Sequence, residues 1–160
     1  YAEVLGYSLN NEAYHMTTPL PSGEAVIACM HDALADAQVD PETVDYINAH
    51  ASGTQLNDAN ECMAIKAVFG HHAARLTVSG TKAYYGHPLG ASGAIEAAIC
   101  CLALEHHHIP PTLNCYEPCA EITPGFDLVC LKGRSQELRY VLSNSFGFGG
   151  NNSSLVFGKP

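Results

Sequence analysis

The sequence predicts an α/β domain with a mainly parallel sheet covered by helices. Strand-like and helix-like segments alternate in the order β-α-β-α-β-α-β-β, and the links between them are short. At 160 residues, 47% of them hydrophobic, the chain can bury a core and is too apolar to be disordered. No repeat, linker or low-complexity stretch divides it, so we expect one domain over residues 1–160.

The first strand-helix-strand unit is predicted over residues 1–49. The loose alternation of residues 1–9 predicts a strand that begins within a fold, with no signal peptide before it. Residues 25–37 carry apolar side chains at helical spacing, with Ser22 as the expected N-cap. Pro41 stands at a position typical of a helix start, and the apolar run 44–49 predicts a short buried strand.

The middle of the chain repeats this order. Residues 59–69 are a predicted helix that begins at a cap, Asn57 or Asp58, and ends at Gly70. The β-branched run 76–79 predicts the next strand.

The last part of the chain carries one helix and three strands. Residues 93–105 are rich in alanine, which indicates a helix buried against another helix. Strands are predicted at 126–131, 140–145 and 153–157, with a tight glycine loop at 147–150.

Charge and cysteine content exclude some classes of partner. The formal net charge of −9 argues against nucleic acid, because phosphates are bound by basic surfaces. The seven cysteines are odd in number and form no CxxC pair, which favours free thiols in a reducing compartment such as the cytoplasm. The weakly polar run 91–104 is shorter than the roughly 18 apolar residues of a membrane span, so no membrane partner is expected.

His50 and His87 are the first candidates for chemistry. Each follows a strand-like segment, and ligands bind beyond the C-terminal ends of strands in parallel sheets. Small residues surround both, whereas packing would favour bulky neighbours; hydrogen-bonded core histidines remain the alternative. Lys82, just after the strand 76–79, is either a solvated lysine or a fixed positive charge of the same site.

Residues 144–152, which read Asn-Ser-Phe-Gly-Phe-Gly-Gly-Asn-Asn, form the most informative stretch. A glycine-rich loop after a strand presents backbone N–H groups, which are the donors of an oxyanion hole. A bare β-hairpin turn is the alternative.

Several motifs together resemble the β-ketoacyl-acyl-carrier-protein synthase (ketosynthase) family, most closely its elongating, synthase II branch. They are Asn48-Ala49-His50, Ser79-Gly80-Thr81-Lys82, Gly86-His87-Pro88-Leu89-Gly90, Pro110-Pro111-Thr112-Leu113-Asn114 and the stretch 144–150. The resemblance covers essentially the whole chain, but only the second half of such an enzyme. It implies the C-terminal half of a thiolase-like fold, with a mainly parallel five-stranded sheet covered by helices.

The resemblance implies an acyltransferase of fatty-acid or polyketide synthesis. Such enzymes move an acyl group from the phosphopantetheine of acyl carrier protein to an active-site cysteine. They then decarboxylate malonyl-carrier protein, and the carbanion attacks the acyl thioester. None of the seven cysteines stands in the family's nucleophile motif. The expected partners are therefore an N-terminal half that carries this cysteine, acyl carrier protein and a second complete synthase unit in a dimer. No cofactor is expected.

By the same match, His50 and His87 are the catalytic histidines, which stabilise negative charge on the malonyl thioester oxygen. Lys82 supports His87 through the local network. Phe148 contributes its backbone N–H to the acyl oxyanion hole and its ring to a gate between the malonyl and acyl pockets. The hydroxyls expected to bind the pantetheine arm are those of Ser52 and Thr54. Three positions that bind a structural cation in some relatives, too few to predict a metal, are Asn48, Glu96 and Ser143.

Two departures from the family pattern leave the acyl substrate open. His50-Ala51-Ser52-Gly53-Thr54-Gln55 stands where His-Gly-Thr-Ser-Thr is usual, and Gly53-Thr54 with the following Asn57-Asp58 is closer to type II polyketide ketosynthases. Gly149-Gly150-Asn151-Asn152 stands where Gly-Gly-Thr-Asn is usual.

Three other interpretations compete with a ketosynthase half. A thiolase also carries a Gly-His-Pro string, but it would have a cysteine-glycine stretch near the C-terminus. A non-catalytic partner subunit, like a chain-length factor, would often lack the histidines that are present here. A metal module built from His71-His72 and His106-His107-His108 is disfavoured, because adjacent helix-end histidines point in different directions.

Overall fold

The computed structural model of the chain describes residues 1–118 and 125–160. Its strands in chain order are β1 (Glu3–Asn11), β2 (Tyr46–Asn48), β3 (Thr77–Ser79), β4 (His108–Ile109), β5 (Asp127–Leu128), β6 (Arg134–Ser135), β7 (Tyr140–Gly147) and β8 (Asn151–Gly158). Six of them form one sheet in the order β1-β8-β7-β2-β3-β5, while β4 and β6 pair separately. The pairs from β7 to β5 are parallel and the pairs among β1, β8 and β7 are antiparallel.

Three α-helices cover the two faces of this sheet. They are α1 (Glu24–Ala37), α2 (Gln55–Phe69) and α3 (Ser92–His106). α1 and α2 share one hydrophobic cluster with Ile47 and Leu142, while α3 shares another with Tyr46 and Val141. Because successive strand residues point to opposite faces, neighbouring residues of β2 and of β7 enter different cores. The sheet is therefore the middle layer of three.

The predicted fold class is confirmed, with local corrections. The sheet has six strands, with β5 at one edge, whereas the resemblance implied five. β5 is also shorter than the predicted strand 126–131, and the β4–β6 ribbon was not predicted. The hairpin between β7 and β8 turns through Phe148–Gly150, inside the predicted glycine loop. Gly149 and Gly150 have φ of 81° and 76°, which glycine adopts readily.

Both predicted helix caps are wrong. α1 is preceded by Gly23 in a left-handed conformation, with φ of 63°, and Ser22 is not its cap. α2 begins at Gln55, earlier than predicted, because the Thr54 hydroxyl accepts a hydrogen bond from the Asn57 N–H at 3.3 Å. The predicted end at Gly70 is confirmed.

One helical stretch of the described residues is long and apolar enough to cross a membrane by length and composition alone. Leu89–His106 spans 18 residues with a mean hydropathy of 1.3, because the turn Leu89–Ala91 leads directly into α3. It is thus longer than the run 91–104 that the sequence indicated. Such a stretch is weak evidence for a membrane, since core helices of soluble proteins share these properties. Cys100 and Leu104 of this stretch pack in the second cluster against the sheet.

Candidate functional site

His50 and His87 lie side by side at the C-terminal edge of the parallel strands. His50 follows β2 and is 4% exposed, whereas His87 lies in an exposed loop before α3. Their ring centroids are 5.3 Å apart, with the ring planes at 76°. Phe146 of β7 packs against His50, at 5.7 Å between ring centroids. The fold therefore brings the two rings together at one edge of the sheet.

Both rings are held neutral. Burial lowers the pKa of His50 to about 3, and electrostatic interactions with Lys82 and then with the His87 ring act in the same direction. Partial burial, followed by the Lys82 charge, also lowers the pKa of His87. At neutral pH each imidazole therefore carries one N–H donor and one acceptor nitrogen.

The tautomer of His87 follows from its hydrogen bonds. Its Nδ1 accepts from the Leu89 N–H at 3.3 Å and lies 3.2 Å from the Ser92 hydroxyl. A neutral ring that accepts at Nδ1 carries its proton on Nε2. His87 therefore presents an Nε2–H donor away from α3. The Nδ1 of His50 is buried and has no hydrogen-bond partner among the described residues.

Lys82 is a buried member of this site and not a solvated lysine. It is 6% exposed and forms an ion pair with Glu96, which is fully buried. Its ammonium also donates to the carbonyl oxygen of His50 at 2.5 Å. The Tyr85 hydroxyl donates to the same Glu96 carboxylate at 3.3 Å. Lys82 thus links the backbone of His50 to α3 through Glu96. Its effect on His87, which the resemblance predicts it to support, is that its charge helps to lower the pKa of that ring.

Glu61 is a site residue that the motifs did not single out. Its two carboxylate oxygens accept from the backbone N–H groups of His50 and Ala51, both at 2.9 Å. Burial raises the pKa of Glu61 to about 7, while these hydrogen bonds and that of Asn144 oppose the shift. The available signal was its position four residues before Ile65, on the buried side of α2.

Ala51 explains one departure from the family pattern. Its φ of 39° lies in the left-handed region that favours glycine, the usual residue after the first histidine. A Cβ added at Gly80 would lie 2.4 Å from the Ala51 Cβ. The alanine is therefore accommodated only because position 80 is glycine and Glu61 binds the backbone at 51.

The remaining predicted residues lie at the rim. Ser52 is half-buried and Thr54 is exposed, with their hydroxyls 3.1 Å apart, and Thr54 also caps α2. Phe148 is 72% exposed in the turn between β7 and β8, and its carbonyl accepts from Asn151. The stretch 144–152 is thus a β-hairpin, with Phe146 against His50 and Phe148 at the surface.

The described residues offer no metal centre built from three or more His, Cys, Asp or Glu side chains. Glu96 is engaged by Lys82, and His72 binds the Val44 carbonyl at 2.8 Å. The described cysteines also lack the character of a nucleophile at a helix start. Cys100 lies inside α3, where burial raises its pKa far above the ordinary value.

Residues 1–116 match the family model Beta-ketoacyl synthase, C-terminal domain. The chain belongs to this family. A 3-oxoacyl-[acyl-carrier-protein] synthase 2 from Coxiella burnetii is 45% identical over 99% of the chain and 38% of its own length. The chain therefore spans little more than a third of this relative. The recognised likeness to the C-terminal half of synthase II is confirmed.

Solved ketosynthases have the same fold. A chain of a type II PKS acyl-carrier protein in complex with its ketosynthase, bound to the hexaketide, aligns with a TM-score of 0.95. It is 39% identical over 100% of this chain and 39% of that chain. A chain of a ketosynthase in complex with its chain length factor from Xenorhabdus doucetiae aligns with a TM-score of 0.87. It is 37% identical over 99% of this chain and 39% of that chain.

Proposed function

We propose that this chain is the C-terminal half of a β-ketoacyl-ACP synthase that condenses malonyl-ACP with an acyl thioester. The observation that carries the proposal is the pair of neutral imidazoles at 5.3 Å, at the C-terminal edge of the sheet. The nucleophilic cysteine comes from the N-terminal half, on the same longer chain or on another one. Without that half the chain is inactive.

The histidines act on the decarboxylation step. When malonyl thioester loses CO2, the electrons of the broken C–C bond move to the α carbon and onto the thioester oxygen. N–H donors of His50 and His87 that converge on this oxygen stabilise the charge, most strongly where water is excluded. Neutral rings suit this role, because each neutral imidazole still offers one N–H donor to the thioester oxygen. The carbanion then attacks the acyl carbonyl, and the cysteine thiolate leaves.

Lys82 and Glu61 hold His50 without touching substrate. Lys82 donates to the His50 carbonyl, and Glu61 accepts from the His50 N–H, so both polar backbone groups of the residue are fixed. A histidine whose backbone is held on both sides loses little entropy on binding substrate, which favours a preorganised donor.

The rim residues receive the substrate arm and the acyl group. Ser52 and Thr54 offer hydroxyls to the pantetheine arm from the turn that enters α2. Phe148 places its backbone N–H at the acyl oxyanion hole, and its exposed ring gates the two pockets.

The expected partners are the N-terminal half, acyl carrier protein and a second synthase unit. The apolar helix α3 supports an interface with the N-terminal half, because Leu102 is 46% exposed on the side of α3 away from the sheet cluster. A relative solved with its acyl-carrier protein supports the second. With a net charge of −9, docking of an acidic carrier protein would depend on local basic groups or on the partner half.

A non-catalytic, chain-length-factor-like subunit is the alternative, in line with the relative solved beside its chain length factor. CO2 release from labelled malonyl-ACP separates the two. The full-length synthase, or this chain mixed with an N-terminal half, should release CO2 in a manner that depends on His50 and His87. Native mass spectrometry should find a stable complex of the two halves. A stable complex that releases no CO2 would favour the subunit, and a monomer that never binds an N-terminal half would overturn both.

A further inference from the structure

The thiols of Cys115 and Cys130 face each other. Their sulfur atoms are 2.9 Å apart, with the Cys130 thiol donating to Cys115. Both residues are half-buried, so small reagents can reach them. The backbone holds the two segments together, since Thr112 pairs with Cys130 in an isolated parallel bridge.

Unusual backbone turns flank the two thiols. Asn114, just before Cys115, has φ of 60°, and Leu131, just after Cys130, has φ of 61°. Left-handed backbone is unfavourable for leucine, and the Leu131 side chain remains 42% exposed. Burial of that side chain does not compensate for the strain. Two backbone hydrogen bonds hold the segments together instead. The Thr112 N–H donates to the Val129 carbonyl at 2.8 Å, and the Leu131 N–H donates to the Thr112 carbonyl at 3.0 Å.

We propose that Cys115 and Cys130 are a modification site, which closes to a disulfide by exchange with a low-molecular-weight disulfide such as oxidised glutathione. Cys115 supplies the attacking sulfur, because it accepts the hydrogen bond that Cys130 donates. Burial, with Cys115 beside it, raises the pKa of Cys130 to about 12, so Cys130 keeps its proton until the second step. The inference does not depend on the proposed synthase activity.

The exchange balances in two steps. The Cys115 thiolate attacks one sulfur of oxidised glutathione, the glutathione S–S bond breaks, and one glutathione leaves as thiolate. Cys130 then gives up its proton and attacks the Cys115 sulfur of the mixed disulfide, releasing the second glutathione. The protein pair loses two electrons and two protons, and one oxidised glutathione becomes two reduced molecules.

The disulfide would fix a segment that supports the candidate site. The Thr112 hydroxyl accepts from the Gly80 N–H at 2.9 Å, and Gly80 lies two residues before Lys82. Cys115, Thr112 and Gly80 also line one cavity of about 220 Å³ behind Ala51. A covalent link from Cys115 to Cys130 therefore ties one lining residue of this cavity to the segment that follows Leu128, another lining residue.

The test exposes the full-length protein to glutathione buffers of rising oxidised fraction, alkylates free thiols and maps the peptides. We expect a Cys115–Cys130 peptide that is lighter by two hydrogen atoms, and a melting temperature several degrees above that of the reduced protein. Cys130→Ser should stop at one glutathione on Cys115, and Cys115→Ser should form neither product. Cys101→Ser, at another half-buried cysteine, should behave as wild type. Pairing of Cys115 with Cys62 or Cys119, or full alkylation of both thiols in oxidised buffer, would overturn the proposal.

Discussion

The Glu61 carboxylate lies 2.9 Å from the backbone nitrogen of His50. Its second oxygen lies equally close to the nitrogen of Ala51, whose left-handed φ of 39° turns the chain out of the sheet. A helix on one side of the sheet thus sets the backbone at the point where the candidate histidine leaves its strand. Without this acceptor, the buried N–H of His50 and the part-buried N–H of Ala51 would lack partners.

Replacing Glu61 with alanine should therefore destabilise the fold. Each unsatisfied buried N–H group costs about 1–3 kcal/mol, and the vacated space adds to the loss. We expect a clear drop in the urea midpoint of unfolding. Glu105→Ala, on the exposed side of α3, should change it little. Equal midpoints for the two variants would contradict the role assigned to Glu61.

The pH dependence of stability offers a separate test of the same carboxyl. The folded-state pKa of about 7 lies above the ordinary 4.5, so the folded state binds this proton more tightly than the unfolded state. The resulting stabilisation is complete below about pH 4.5 and is lost as pH rises to about 7, with a slope of at most ~1.4 kcal/mol per pH unit. Because glutamine does not titrate, the free-energy difference between wild type and Glu61→Gln should follow this curve. A free-energy difference that stays constant from pH 4.5 to 8 would show that the pKa of Glu61 is not raised by folding.

Much of the fold could be predicted because the spacing of hydrophobic residues and the residue types found in turns are local signals. The helix end at Gly70 and the glycine turn after Phe146 depend on residues that a short window contains. The start of α2 depends on which of several polar side chains accepts a hydrogen bond from a free N–H group of the first turn. The Thr54 hydroxyl accepts from the Asn57 N–H, so the helix begins before Asn57 or Asp58. The β4–β6 ribbon is a two-residue pairing of distant segments, so no local pattern marks it. The local pattern did mark β5, but the strand is only two residues long, because its pairing with β3 ends at Leu128.

The candidate site was predictable where motifs carry it and not where contacts across elements do. His50, His87 and Lys82 stand in recognisable strings, and the fold brings them together. Glu61 acts on a residue 11 positions earlier, from inside a helix, and only the buried side of α2 hints at it. Phe146 also contacts His50 from β7, a relation that depends on the pairing of β2 with β7.

The two histidines should each be needed for decarboxylation. His50→Ala and His87→Ala each remove one N–H donor, and loss of such a donor typically lowers a rate on the order of 10²–10³-fold. We expect this loss in CO2 release from malonyl-ACP by the full-length synthase, with the far-UV circular dichroism spectrum unchanged. His31→Ala, on the exposed side of α1, is the matched control. Near-normal CO2 release by either site variant would remove that histidine from the mechanism.

Breaking the Lys82–Glu96 pair should lower the free energy of unfolding more than removal of a surface lysine does. Lys82→Met leaves the Glu96 carboxylate buried without its cation, and loss of one partner of a buried pair costs about 3–5 kcal/mol. Lys132→Met, at an exposed position, should change the free energy of unfolding by less than about 0.5 kcal/mol. Urea titrations compare the two variants. Similar midpoints would mean that the buried pair does not hold this part of the site.

Tyr85 and Tyr84 are neighbours with different surroundings, and they provide the last comparison. The Tyr85 hydroxyl donates to Glu96 at 3.3 Å and lies 3.1 Å from the Thr81 hydroxyl, whereas Tyr84 is 50% exposed. Burial and the nearby carboxylate raise the pKa of Tyr85 to about 12, so the phenol remains a donor throughout the neutral range.

Tyr85→Phe keeps the ring and removes one charge-assisted hydrogen bond to Glu96. Because Tyr85 is only half-buried, we expect a loss of about 1 kcal/mol in the free energy of unfolding, at the low end for bonds to charged groups. The carboxyl of Glu96 should also take up a proton at higher pH than in wild type, since its ionised form loses a donor. Tyr84→Phe should match wild type in both respects. Urea unfolding at several pH values measures both effects, and identical curves for the two phenylalanine variants would show that the Tyr85 hydroxyl contributes nothing to the Lys82–Glu96 pair.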